Sequence, residues 1–282
     1  MSPFHCEKYF LYKSARAKHR VLPLSMLPPV FVYLFKRPLP YTSTWNLQET
    51  IHRLQLALRK TGDHPDILLL LQHRPVYTAG RRQNEPSIYD ERVRLQNMGA
   101  EFVSATRGGQ LTYHGPGQIV GYPMIDLSRY APTMTTRDFV CRIQKLLKDH
   151  LQDSHNIPSV HSEHTGVFLD PTTKIASIGV QVRHRLTSHG FAINITNEPL
   201  SWFNQIIACG LDDVRAGSIE SKLNKPTALG DEMRRIARQF GKLFVRDMVV
   251  LEQNDGSEIG KAIAALEREA KDVGDWAKAP II

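Results

Sequence analysis

Cysteine is scarce in this chain: Cys6, Cys141 and Cys209 are its only thiols in 282 residues. None stands in a C-x-x-C pair, which excludes a disulfide framework or a thiolate zinc knuckle and points to free thiols in a reducing compartment. Long apolar runs are missing too. The longest, at 67–71 and 27–35, are strand-sized and fall short of the ~18–20 residues that span a bilayer, so no membrane insertion is expected. There is no G-x-x-x-x-G-K-[ST] phosphate loop, no H-E-x-x-H helix and no dinucleotide fingerprint. His161 and His164 are three apart, but the segment reads as extended after Pro158 and no tetrahedral set is completed, so no metal is expected. No helix-turn-helix or aromatic-interleaved basic patch stands out, so no nucleic-acid partner is expected either.

Acidic residues are in deficit. Lys and Arg number 36 against 28 Asp and Glu, for a net charge of +8 and a pI of about 9.4. Such a surface suits an acidic partner. The imbalance is sharpest over residues 1–28, where Lys8, Lys13, Arg16, Lys18 and Arg20 face only Glu7. A basic, acid-poor N-terminus has the character of a mitochondrial presequence, so the expected location is the mitochondrion. The remaining composition, 41% hydrophobic and 23% charged, is that of a globular domain with a substantial core.

Strands are predicted over 30–35, 67–71, 101–106 and 118–127, with two or three more over 174–196 turning at 186–190. Leu47, Ile51, Leu54 and Leu58 recur at helical spacing behind a Ser43 or Thr44 cap. Further helices are predicted over 88–98, 136–152 and 228–247, and a charged, peripheral one from Ser257 onward. Strands and helices mix without strict alternation, which predicts an α+β fold rather than a doubly wound sheet. The expected organisation is a basic extension at 1–28, one catalytic domain at 29–250 and a charged helical tail at 251–282.

Three segments could carry chemistry. Residues 107–117 read RGGQLTYHGPG, a loop whose four glycines let the backbone approach a ligand while Arg107, Thr112 and His114 add polar contacts; two tight turns would account for the same composition. Lys174 opens the small-residue strand KIASIGV, where burial would suit it to act as a base or beside an anion. Cys209, in IIACGL, is a thiol beside a glycine in a loop after an apolar strand, able to act as a nucleophile or to pack as a small hydrophobe.

Taken in order, TAGRR, RGGQLTYHGPGQIVGYPMIDL, KIASIGVQV, SHGFAINI and ACGL resemble the lipoyl(octanoyl) transferases of the biotin/lipoate protein ligase superfamily. The resemblance covers roughly residues 30–249. It implies a single mixed-sheet domain with flanking helices, and transfer of an octanoyl (lipoyl) group from acyl carrier protein to a lysine of lipoyl domains in protein lipoylation. The acceptors it implies are the lipoyl domains of 2-oxoacid dehydrogenase complexes and the glycine cleavage H protein. The family's thioester nucleophile falls on Cys209 and its thiol-activating lysine on Lys174. Its substrate-binding segments fall on Arg107, Gly108, Gly109, Gln110, Leu111, Thr112, Tyr113 and His114, on Ser177, Ile178 and Gly179, and on Gly190, Phe191 and Ala192. No cofactor is implied, because a thioester donor is already activated. Two departures touch the loops: Ala208 stands where the family often has proline, and Gly217-Ser218 where it often has Thr-Ser. The alternatives are an ATP-dependent lipoate or biotin ligase on the same fold, and an inactive homologue serving as a binding module.

Overall fold

The computed structural model describes residues 27–83, 88–207, 210, 213–253, 255–271 and 276–281. Eleven strands among them are β1 (Val30–Leu34), β2 (Asp66–Leu71), β3 (Val76–Ala79), β4 (Glu101–Ser104), β5 (Thr112–His114), β6 (Gln118–Met124), β7 (Val167–Asp170), β8 (Thr173–Arg183), β9 (Leu186–Asn194), β10 (Arg215–Ala216) and β11 (Met248–Val250). Seven helices join them: α1 (Tyr41–Leu58), α2 (Tyr89–Asn97), α3 (Thr136–His155), α4 (Glu198–Phe203), α5 (Ile219–Leu223), α6 (Leu229–Phe244) and α7 (Glu258–Lys271).

The main sheet runs β10-β8-β9-β6-β2-β1-β11, with β7 also on β8; β1 is parallel to β2 and β11, and β2, β6, β9 and β8 are successively antiparallel. This is the mixed α+β sheet expected. The run Ile67–Leu71 is buried throughout because β2 is central and covered on both faces. One face packs on α3 and α6 through Phe139, Ile143, Leu147, Ile236 and Phe240; the other packs on α1 and α7 through Leu47, Ile51, Ile259 and Ile263. A second, three-stranded sheet, β4-β3-β5, forms its own core with α2 and α4.

Local chemistry moves several boundaries. α1 starts at Tyr41, ahead of Ser43 and Thr44; Pro40 supplies the extended cap position and Thr44 Oγ1 donates to the Pro40 carbonyl at 2.6 Å. α3 obeys its apolar spacing and carries a full capping box, Thr135 with Asp138. The β8–β9 turn falls on His184 and Arg185, both at positive φ, so 186–190 is strand rather than turn. The C-terminal helix is not peripheral. α7 buries Ile259, Ile263, Leu266 and Ala270 in the second core, and β11 extends the sheet beside β1. The basic extension, apart from residues 27 and 28, lies outside the described residues.

Candidate active site

Two cavities meet at Lys174, Ser177 and Ala192, where β8 and β9 face the glycine-rich segment. The first, ≈ 270 Å³, lies between that segment and the two strands. The second, ≈ 780 Å³, lies toward β10 and residues 203–206 and 213–216.

The glycine-rich segment is held by its backbone. Gly108 N–H donates to Val180 C=O of the β8 edge at 3.3 Å, and Arg82 N–H donates to Gly109 C=O at 3.2 Å. Gly109 has φ +92°, and a Cβ on Gly80 would collide with the Gly109 carbonyl, so the fit needs glycine at both positions. Arg107 lines the first cavity but is largely an internal brace. Its guanidinium donates to Thr78 Oγ1 at 2.7 Å and to the carbonyls of Gln110 and Gly108 at 2.9 and 3.0 Å. Gly108, Gly109 and Gln110 also line this cavity.

Strand geometry then divides the rest of the block. Successive side chains of a strand point to opposite faces. Thr112 and His114 line the first cavity, whereas Leu111 and Tyr113 enter the core of the small sheet, where Tyr113 stacks on Trp202 at 5.3 Å. Leu111 and Tyr113 therefore support the site from the core of the small sheet without lining this cavity. From the strands, Ser177, Ile178, Gly179, Gly190, Phe191 and Ala192 all line it. Gly190 is required because a Cβ there would strike the Gly121 carbonyl of β6.

Lys174 is 9% exposed, reaches both cavities and passes close to Gly166, with Nζ 5.6 Å from the Phe168 ring centre. Its backbone is fixed by a bond from Gly217 N–H to Lys174 C=O at 2.9 Å. Cys209 lies outside the described residues. Its described neighbours in sequence do bear on the site. Ile206 and Asp213 line the second cavity, and Gly210, at φ +67°, has its Cα so close to the Gln110 amide that a Cβ would collide with it. The element preceding this segment is helix α4, not the apolar strand expected from Ile206 and Ile207. Cys141 is 1% exposed in α3.

Residues that sequence reasoning passed over complete the first cavity. Tyr41, Tyr122 and His189 line it, and His73 stands behind them with Nε2 at 2.7 Å from Tyr122 Oη. Burial, with the nearby Arg107 charge, brings His114 down to about 4 and His189 to about 3; burial and His114 bring His73 to about 3. All three rings are neutral at physiological pH. Tyr41 Oη and Thr112 Oγ1 are buried on this cavity without a hydrogen-bond partner. A polar residue inside a buried strand, as in LTSHGFAIN, was the available signal. Away from the cavities, His150, His155 and Glu232 hold ligand atoms within 4.8 Å of one another, the one such group among the described residues. Arg235 also engages that carboxylate, at 2.9 Å, and the group joins α3 to α6.

The family model for the lipoyl protein ligase A/B catalytic domain matches residues 40–241. The octanoyltransferase of Koribacter versatilis is 39% identical over 215 residues, covering 75% of this chain and 83% of that one. The octanoyltransferase of Caldicellulosiruptor saccharolyticus is 38% identical over 223 residues, covering 78% and 92%. Among solved structures, lipoate-protein ligase A bound with ATP superposes with a TM-score of 0.56 at 12% identity, over 89% of this chain and 98% of that one. LipL1 of P. falciparum in complex with lipoate gives 0.55 at 15% identity, over 88% and 72%. At such identities the structural likeness is one of fold. The sequence match carries more: the chain belongs to the lipoyl protein ligase A/B catalytic domain family.

Proposed function

We propose that this chain is an octanoyltransferase of protein lipoylation, taking an octanoyl group from an acyl carrier protein thioester and placing it on a lysine of a lipoyl domain through Cys209. The observation that carries this reading is Lys174 at the junction of two cavities, with residues flanking Cys209 in sequence against both: Gly210 against Gln110, and Ile206 and Asp213 on the second.

Both steps balance without ATP. The Cys209 thiolate attacks the donor carbonyl, forming a new C–S bond as the carrier's thiolate leaves; one thioester replaces another of similar energy. The acceptor's ε-amine then attacks the acyl-enzyme, forms the amide, loses a proton and releases the Cys209 thiolate. A free thiol is only a few per cent ionised at neutral pH, so a cation near the sulfur favours the reactive form. The Lys174 ammonium fills that role, and it also faces the space that an incoming amine must cross. The acyl tail fits the first cavity, walled by Val120, Ile178, Phe191 and Ala192. The partners are acidic carrier proteins and lipoyl domains, those of 2-oxoacid dehydrogenase complexes and the glycine cleavage H protein. They dock on a chain of net charge +8, and Arg82 stands on the cavity wall.

Intact-mass analysis after mixing with octanoyl-carrier protein, without ATP, tests this directly. The wild type gains one octanoyl group that hydroxylamine removes, Cys209→Ala gains none, and Lys174→Ala gains it about 10²-fold more slowly or worse. An adduct that persists in Cys209→Ala, or one that requires ATP, overturns the reading. We read residues 1–28 as an import presequence, although the relatives named above are bacterial. A fluorescent protein fused behind residues 1–40 should enter mitochondria of a eukaryotic cell; a fusion that stays in the cytosol removes that reading.

A further inference from the structure

Four hydrogen bonds run in series from the first cavity to the backbone of Lys174. His114 Nδ1 lies 2.7 Å from Gln118 Oε1, Gln118 Nε2 lies 2.8 Å from Asn194 Oδ1, Asn194 Nδ2 lies 2.9 Å from Gly217 O, and Gly217 N lies 2.9 Å from Lys174 O. The direction of this chain is fixed by chemistry. A backbone carbonyl only accepts, so Asn194 must turn its NH₂ to Gly217 and its oxygen to Gln118. Gln118 must then present its NH₂, which also meets the Tyr113 carbonyl at 3.4 Å, a second group that only accepts. Its oxygen therefore faces His114, whose Nδ1 must carry the hydrogen. His114, Gln118 and Asn194 are 7%, 1% and 3% exposed, so water competes little for these bonds.

We propose that Gln118 and Asn194 are positioning residues that hold His114 as the Nδ1–H tautomer, leaving its Nε2 as a hydrogen-bond acceptor on the wall of the first cavity and coupling the ring to the strand that carries Lys174. The proposal rests on the acyl-transfer reading for its consequence, since the acceptor at Nε2 orients the N–H of the acceptor lysine where it reaches the acyl group held in the first cavity. It does not rest on it for its structural content. His114 is neutral, held down to about 4 mainly by burial and by Arg107, so the ring acts by accepting a hydrogen bond rather than by storing a proton. The near-identical tilt of Tyr41 and His114, 7° apart with centres separated by 6.4 Å, backs the ring on its other side. Such an arrangement has the logic of an imidazole whose working nitrogen is set by the bond its other nitrogen makes.

The test is the tautomer itself. In ¹⁵N-labelled full-length protein, long-range ¹H–¹⁵N spectra, with His114 assigned by its loss in His114→Gln, should show a protonated Nδ1 and a bare Nε2 from pH 6 to 8. Gln118→Glu keeps the acceptor on His114 and adds a charge, so Nδ1 should stay protonated while the His114 titration midpoint rises by at least one pH unit. Gln118→Met removes both ends of the amide. It should leave a mixture of tautomers and lower kcat/KM about tenfold, more through KM for the acceptor domain than through kcat. A wild-type ring protonated at Nε2, or a Gln118→Met protein with wild-type tautomer and kinetics, overturns the proposal. If Gln118→Met does not fold, the midpoint in Gln118→Glu decides, and an unmoved midpoint overturns it. The predicted tautomer in a protein that forms no acyl-enzyme would leave this inference standing and remove only the acyl-transfer reading.

Discussion

The chain buries two clusters of histidines, and they do opposite things. Around the first cavity, His73, His114 and His189 meet neutral partners, the Leu39 carbonyl, the Gln118 amide and the Thr106 hydroxyl, with the Arg107 charge near the last two rings. Between α3 and α6, His150 and His155 instead sit 2.9 and 2.8 Å from one oxygen of Glu232. Burial, which pushes that carboxyl up, is outweighed by the two imidazoles, which hold it at about 2. Burial is deeper in the first: His73, His114 and His189 are all buried, whereas His155 is only partly so. Burial lowers all three rings of the first cluster, with Arg107 adding to it at His114 and His189, and makes them neutral hydrogen-bonding parts of a cavity wall; a carboxylate at the second makes a polar clamp between helices. What separates the two clusters is therefore not buried histidine itself but its partners: neutral groups and the Arg107 charge at the first, a carboxylate at the second.

Removing that charge is the strongest way to break the contrast. Arg107→Ala takes away the donors on Thr78, Gly108 and Gln110 and the cation that disfavours protonation of His114 and His189. It should cost about 2–4 kcal/mol through the carbonyls and hydroxyl left without donors, and urea denaturation would measure it. A loss below about 1 kcal/mol would mean that the loop holds itself through its backbone bonds.

A smaller effect sharpens the comparison through pH. His73, His114 and His189 have folded pKa values of about 3, 4 and 3, all below the ordinary 6.5. The unfolded chain then binds more protons between these limits. The stability contributed is complete above pH 6.5 and is lost as pH falls toward 3–4. His189 adopts φ +56°, which asparagine tolerates, so His189→Asn should retain the fold. It should flatten the slope of stability against pH between 6 and 4.5 by up to about 1.4 kcal/mol per pH unit. An unchanged slope would mean that His189 is protonated in the folded protein as readily as outside it.

Much of this site was legible in the sequence because its chemistry needs particular residues at fixed spacing. The 107–114 block, the small-residue strand over 177–179 and 190–192 all reach one cavity. What escaped was set by pairing across the fold. β3 and β5 are four and three residues long, and β5 emerges from a segment that glycine makes look like loop; its pairing with β3 turns Leu111 and Tyr113 away from the cavity. Tyr41, His73 and Tyr122 come from α1, the segment just after β2, and β6, and no local pattern joins them. The β8–β9 turn uses His184 and Arg185 rather than glycine or asparagine, so no turn residue marks it. The last helix reads as charged because one face is; the buried Ile259, Ile263 and Leu266 recur at helical spacing on the other.

The central claim, that the acyl group passes through Cys209, is tested most directly by a chase. Octanoyl-enzyme freed of carrier protein would be mixed with an unmodified lipoyl domain in the absence of ATP, and both masses followed. The account predicts that the enzyme loses one octanoyl group as the domain gains one on its lysine, in equal amounts and in a single phase. An octanoyl-enzyme that stays loaded while the domain remains unmodified, or a domain acylated only when ATP and free octanoate are supplied, would contradict it.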